Sequence, residues 1–199
     1  MKNRQIENWF SLFGVLAFIF YFLHIFMGQA NYPGYSWMKQ AVSDLTATNS
    51  ISYAIATRYS SLYGMFSCIG TLFLCIIVRD RFNKLFRVGI YLYSVMNFVS
   101  TIGYGLFPLS QSGFQGEFSD IMHLYVVTFG VVVLSIISLI LIIISGFKVN
   151  GNRVISLLGL IVLILMFVGS IGMNLISKEY FGILERFSVF SVVFFTGIL

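Results

Sequence analysis

Residues 121–146 read IMHLYVVTFGVVVLSIISLILIIISG, a run of 26 residues without Lys, Arg, Asp or Glu. As a helix rising 1.5 Å per residue it reaches about 39 Å, enough to cross about 30 Å of hydrocarbon with some tilt. Its apolar residues do not alternate at period 2, which excludes a barrel strand, so the backbone must close its hydrogen bonds within a helix. Five further stretches, at about 9–28, 59–78, 88–107, 154–176 and 181–199, repeat this character. The fold class is therefore all-α: an integral membrane bundle of six transmembrane helices, forming a single domain over residues 1–199.

Composition agrees. The chain is 58% hydrophobic and 18% aromatic with only 10% charged residues, against about 25% charged in soluble proteins. Its mean hydropathy is +0.93. The net charge of +5 does not point to nucleic acid, because the basic residues sit in short clusters beside the spans. Lys2 and Arg4 precede the first span, Arg79, Arg81, Lys84 and Arg87 fill the turn after the second, and Lys148 and Arg153 fill the turn after the fourth. Eight of the twelve Lys and Arg thus share one side with only Glu7 and Asp80, whereas Asp44, Glu117, Asp120, Glu179 and Glu185 lie on the other with Lys39, Arg58, Lys178 and Arg186. By the positive-inside rule both termini are cytoplasmic, in a cell-membrane protein. The basic turns would attract anionic head groups, a generic consequence of topology.

The run from Trp9 to Met27 exceeds the 7–15 residues of a signal-peptide core, so the first span is read as a retained helix despite the small-residue triplet Gly28-Gln29-Ala30. Cys68 and Cys75 lie seven residues apart in the second span, about 10 Å along a helix axis and beyond disulfide reach. No CxxC, HxxxH, phosphate loop or GxSxG occurs, and no internal repeat marks a two-half transporter. No cofactor and no metal site is expected. Two histidines on different helices are the minimum for bis-His haem, but a lone membrane histidine more often serves packing.

The first outer connection, from about Gly28 to Thr57, is the long one, and long ordered loops are more often functional than incidental. Tyr32-Pro33-Gly34-Tyr35 has turn chemistry. Met38, Val42 and Leu45 recur at i, i+4 and i+7, which predicts a short amphipathic interfacial helix over 36–47 with Lys39, Ser43 and Asp44 on its polar side. His24, His123, Glu185 and Arg186 all fall near the outer ends of their spans. Helix-embedded charges face the bundle interior and pair, so Arg186 is expected beside Glu185, Asp44 or Glu117. Arg58, Lys178 and Glu179 read as solvated.

Tyr32-Pro33-Gly34-Tyr35-Ser36 followed by Ala41-Val42-Ser43-Asp44-Leu45, then Phe107-Pro108, His123 and Gly182-Ile183-Leu184-Glu185-Arg186, in this order relative to six spans, resembles the uncharacterised prokaryotic membrane family catalogued as domain of unknown function 998. The resemblance implies a six-helix membrane protein over essentially the whole chain, with no established activity. In that pattern an acidic residue commonly stands two positions after Phe-Pro, where this chain has Ser110.

Tyr35, Ser36, Ser43, Asp44, His123, Glu185 and Arg186 are the candidate ligand-binding residues. Three function classes are open. A lipid head group or small amphiphile would sit on the polar cluster with its tail among aromatic residues, making membrane lipids the partners. An intramembrane hydrolase or metal-dependent enzyme would use Ser43, Asp44 or Glu185, and His123. An accessory or immunity-type protein would contact another membrane protein through small residues such as Gly169, Ser170 and Gly172, which intramolecular packing explains equally well. An ion-coupled pump is disfavoured, since no ionisable residue stands at the middle of a span.

Overall fold

The computed structural model describes residues 2–148 and 152–199, with side chains from Leu12 onward. The side chains of Lys2, Arg4 and Glu7, which enter the charge-sorting argument, lie outside the described residues. The helices are α1 (Lys2–Ala30), α2 (Tyr53–Val78), α3 (Lys84–Leu106), α4 (Phe118–Ile121), α5 (Phe129–Lys148), α6 (Arg153–Leu175) and α7 (Phe181–Ile198). A π-helical segment, Met122–Thr128, joins α4 to α5, so that Phe118–Lys148 forms one continuous span. Six helical segments are long and apolar enough to cross a membrane. Two begin ahead of the runs read from the sequence, α2 at Tyr53 and α3 at Lys84.

The spans pack as a closed ring. α1 contacts α2, α2 contacts α3, α3 contacts α5, α5 contacts α6, α6 contacts α7, and α7 returns to α1. Close approach is obtained where a glycine faces the adjoining helix. Gly169 of α6 lies against the Leu184 carbonyl and the Ser188 hydroxyl of α7, and Gly172 against the Leu184 side chain. These small residues are thus occupied by contacts within the chain. Gly64 meets Thr101 across α2 and α3, and Gly103 meets Val127 of the π segment.

One apolar core, including Phe86, Ile90, Tyr93, Met96, Leu139, Ile142 and Phe195, fills the ring toward the basic turns. Tyr93 is fully buried, and its hydroxyl donates to the Val192 carbonyl at 2.9 Å while meeting Thr196 Oγ1 at 2.8 Å, a brace from α3 to α7. Cys68 Sγ reaches Thr101 Oγ1 at 3.5 Å, and both cysteines are free. At the basic end Asn83 caps α3 by accepting from the Phe86 amide, and the same oxygen accepts from Ser145 of α5 at 2.8 Å.

At the opposite end two connections fold over the ring as a cap. A second core, Tyr21, Ile25, Val42, Leu45, Ala56 and Val193, joins the first of them to the helices below. The helix predicted over 36–47 contracts to a single 3-10 turn, Ser43–Thr46. Competition for its backbone explains this: the Ala41 amide is taken by Asp44, the Val42 amide by Glu185, and the Met38 carbonyl by the amides of Gly182 and Ile183. Val42 and Leu45 are buried as the periodicity requires, but Asp44, assigned to the polar side, is buried with them at 4% exposure.

A Cβ at Gly169 would clash with backbone that has no room to move, so Gly169→Ala should lower the stability of the detergent-solubilised protein by about 1–3 kcal/mol. Gly105→Ala in α3, with nothing within 4 Å, should be neutral or slightly stabilising. Thermal unfolding of the two variants side by side checks the pair.

Candidate functional site

The last span begins with a 3-10 turn, Lys178–Tyr180, and its first helical amides project toward the first connection. The Met38 carbonyl accepts from the amides of Gly182 at 2.8 Å and Ile183 at 3.3 Å, closing donors that a helix start leaves open. Gly182 permits this approach, because a Cβ there would strike the carbonyls of Gln40 and Trp37. The loop is thereby pressed onto α7 one turn before Arg186.

Arg186 is 7% exposed. Its Nη1 donates to the carbonyls of Gly182 at 2.7 Å, Trp37 at 2.8 Å and Gln40 at 3.0 Å, and its Nη2 donates to the Tyr35 hydroxyl at 2.7 Å. That hydroxyl donates onward to the Ala41 carbonyl at 2.6 Å. Burial pushes the Tyr35 phenol up to about 12, partly offset by the adjoining guanidinium, so it remains a neutral donor. Arg186 therefore meets neutral oxygens and no carboxylate within ion-pair distance among the described residues, contrary to the pairing expected with Glu185, Asp44 or Glu117.

The carboxylates are turned onto amides instead. Glu185 Oε2 accepts from Val42 N at 2.8 Å, and Asp44 accepts from Ala41 N at 2.9 Å and from Gly113 N of the second connection at 2.9 Å. Glu117 is exposed. Arg58, Lys178 and Glu179 are exposed as expected, Glu179 pairing with Lys39 at the surface.

The second connection is organised by a residue that the sequence reading left out of the site. Asp120, fully buried in α4, accepts from Ser110 N at 2.8 Å, Ser110 Oγ at 3.0 Å and Gln115 N at 2.9 Å. The cue available was an acid at the head of an apolar helix, ten residues after a loop serine. Ser110, where the family pattern commonly carries an acid, is here the donor to one. His123 is buried at 5% exposure in the π segment, its Nδ1 2.7 Å from the Phe107 carbonyl and its ring 4.6 Å from that of Tyr104. Thr128 donates to the His123 carbonyl five residues back and meets the Tyr104 hydroxyl at 3.0 Å, which holds the wide turn.

The candidate residues thus fall into two groups. Tyr35, Asp44, Glu185 and Arg186 share one network, and His123 stands with Asp120 beneath the second connection. The two are joined where Gln40 Nε2 donates to Ser112 Oγ at 3.0 Å, Gly113 N donates to Asp44, and Thr48 N donates to the Leu109 carbonyl at 2.8 Å. Gln40 is the linking residue, since its Oε1 also accepts from Ser36 N at 2.8 Å. Ser43 makes no hydrogen bond to His123 or Asp44 among the described residues, and both Asp44 oxygens are engaged by amides. No three of His, Cys, Asp and Glu converge as a metal-ligand set among those residues. His24, 4% exposed, holds its Nδ1 3.2 Å from the Tyr21 carbonyl; its Nε2 is buried without a hydrogen-bond partner among the described residues.

Asp120→Asn keeps the shape but weakens three charge-assisted bonds and leaves donors competing. It should cost about 2–3 kcal/mol and loosen residues 107–117. Hydrogen exchange of the Ser110 and Gln115 amides, expected to lose protection before the helices do, checks this.

No curated protein and no solved structure shows significant similarity to the chain. A family of membrane-spanning chains is nonetheless indicated by the whole course of the sequence from Val15 to Leu199, through every span and both connections of the cap. Over residues 15–199 the chain matches the family described as "Protein of unknown function (DUF998)", and it belongs to that family.

Proposed function

We propose that this protein is a binding protein of the cell membrane, with both termini cytoplasmic and the cap outward, whose capped site takes the anionic head group of a lipid or small amphiphile. One observation carries the reading: a cation 7% exposed, at the end of a membrane span, answered by carbonyls and a phenol. Those oxygens satisfy the geometry of the guanidinium while the carboxylates of the same network, Glu185 and Asp44, are turned onto amides, so that no anion is hydrogen-bonded to the fork among the described residues. A phosphate or carboxylate would accept from the same planar fork in a bidentate manner and pair with it directly.

The surroundings support such a ligand. None of the hydrogen bonds among the described residues uses the side-chain hydroxyl of Ser36 or Ser43. Beneath the loop, Tyr21 and Ile25 with Phe22 and Phe190 packed on them offer an apolar bed for a tail. The cap has places to hinge: Gly34, Gly113 and Gly116 adopt positive φ, at 82°, 77° and 87°, with open space around each. Movement there would open the Gln40–Ser112 and Asp44–Gly113 links, and the Trp37 and Gln40 carbonyls would yield the guanidinium to the incoming anion.

Native mass spectrometry of protein released from its own membrane tests the ligand. Wild type and Tyr35→Phe should carry an anionic amphiphile, Arg186→Lys should carry it at roughly tenfold lower occupancy through loss of the fork, and Arg186→Gln should lose it. The same lipids on all four proteins, or no bound species on any, overturns the reading. Orientation is tested separately with single cysteines in a Cys68→Ala, Cys75→Ala background. Gln111→Cys should react with an impermeant maleimide on intact cells and Asp80→Cys only after permeabilisation; the reverse pattern overturns the assignment.

A further inference from the structure

The lipid-facing side of α2 and α3 is furrowed at a place unrelated to the cap. Two adjoining grooves, of about 540 and 550 Å³, share Leu72, Cys75 and Tyr91. One climbs α3 past Val95 to Gly103, and the other follows α2 from Ile69 through Ile76 to Arg79. The furrow arises because two small residues face it where larger ones would fill it. Ser94 turns its hydroxyl inward to Thr71 Oγ1 at 3.3 Å, and Cys75 is the short side chain opposite. Leu72, Ile76 and Tyr91, exposed by 48, 67 and 37%, form its rims.

The lower groove has a definite length and a charged end. Ile69 to Arg79 spans ten residues, about 15 Å at helical rise and half of the roughly 30 Å hydrocarbon thickness, so it matches one leaflet. Arg79 closes it with a side chain 75% exposed, its nearest acid Asp80 being 4.0 Å away and itself 87% exposed. Arg87 donates to the Arg79 carbonyl at 2.7 Å, which holds a second guanidinium at the same level. Over residues 79–87 four basic side chains (Arg79, Arg81, Lys84, Arg87) stand against one acidic (Asp80), a net charge of +3. An apolar furrow one leaflet deep that ends in guanidinium groups is complementary to a molecule with an acyl chain and a phosphate at one end.

We infer that the α2–α3 furrow is a seat for one anionic phospholipid of the leaflet at the basic end, its chain lying between Ile69 and Arg79 and its phosphate on Arg79 and Arg87. This site is distinct from the capped one and does not depend on it. It also differs from the general attraction of basic turns for anionic membranes, because the furrow selects one position on the protein's circumference. A second basic turn, around Lys148 and Arg153, provides the comparison.

The test uses tryptophan reporters in the full-length protein with Trp9 and Trp37 both replaced by Phe, reconstituted in phosphatidylcholine vesicles containing dibrominated phosphatidylglycerol or dibrominated phosphatidylcholine. Tyr91→Trp reports from the furrow, and Val154→Trp, at an exposed position on α6 beside Arg153, reports from the other basic turn. Quenching at Tyr91→Trp should favour the brominated anionic lipid several-fold more than at Val154→Trp. Adding Arg79→Gln should lower that preference about fivefold. Adding Cys75→Phe, which fills the furrow and keeps every charge, should weaken quenching by both lipids. Equal preference at the two reporters, no change with Arg79→Gln, or undiminished quenching with Cys75→Phe overturns the inference.

Discussion

The Arg186 guanidinium lies about one and a half turns inside a membrane-spanning helix, where its donors must find oxygen supplied by the protein. Four such acceptors are gathered around it, one from its own helix and three from the segment Tyr35–Gln40. That requirement draws the first connection down onto the start of α7, and the rest of the cap follows. Once the loop is seated, the Val42 and Ala41 amides face Glu185 and Asp44, and Asp44 has one oxygen left for Gly113 of the second connection. Bonds of this charged kind contribute about 1.5–3 kcal/mol each, against about 0–1 for the exposed Lys39–Glu179 pair. The amide-bound carboxylates and Arg186, rather than surface ion pairs, therefore hold the cap on the bundle.

Lower in the ring the polar contacts are neutral. Tyr93 to Thr196, Ser94 to Thr71 and Cys68 to Thr101 tie helices together with hydroxyls and a thiol. Such bonds between membrane helices are worth less than charged ones, about 0.6 kcal/mol on average, but they need no counter-ion and no water. With glycines seated against neighbouring helices, they make a closely packed ring on which the cap is built.

The spans were legible because each is a long apolar run, and length together with unbroken apolar composition separates a membrane helix from a soluble one. The placing of His123, Glu185 and Arg186 toward the capped end of their spans was legible too, since position along a helix converts directly to distance. Partners were not. Arg186 was expected beside a carboxylate because opposite charges attract, but the local backbone offers carbonyls at shorter range, and the carboxylates are claimed by loop amides that no periodicity reveals. The helix expected over 36–47 failed for the same reason: its apolar face is real, as Val42 and Leu45 show, but side chains distant in sequence outcompete its backbone ladder. Glu185 lies 143 residues from Val42. The π segment around His123 was invisible because its cause, the joint hold of Thr128 and Tyr104, spans two helices.

Hydrogen-bond satisfaction and charge neutralisation are separate conditions, and the cap meets them unequally. Asp44, Asp120 and Glu185 receive N–H donors from the two connections, and their dipoles favour the anion. Arg186 receives carbonyl oxygens and a phenol, which orient the fork but place no anion in hydrogen-bond contact with it among the described residues. A bundle selected only for stability would gain from an apolar residue of similar volume here, as exchanges of buried ionic groups for apolar ones show elsewhere. On the proposed reading the arrangement is one half of an interaction: the loop holds the guanidinium buried, turned and hydrogen-bonded through groups that an incoming anion would replace.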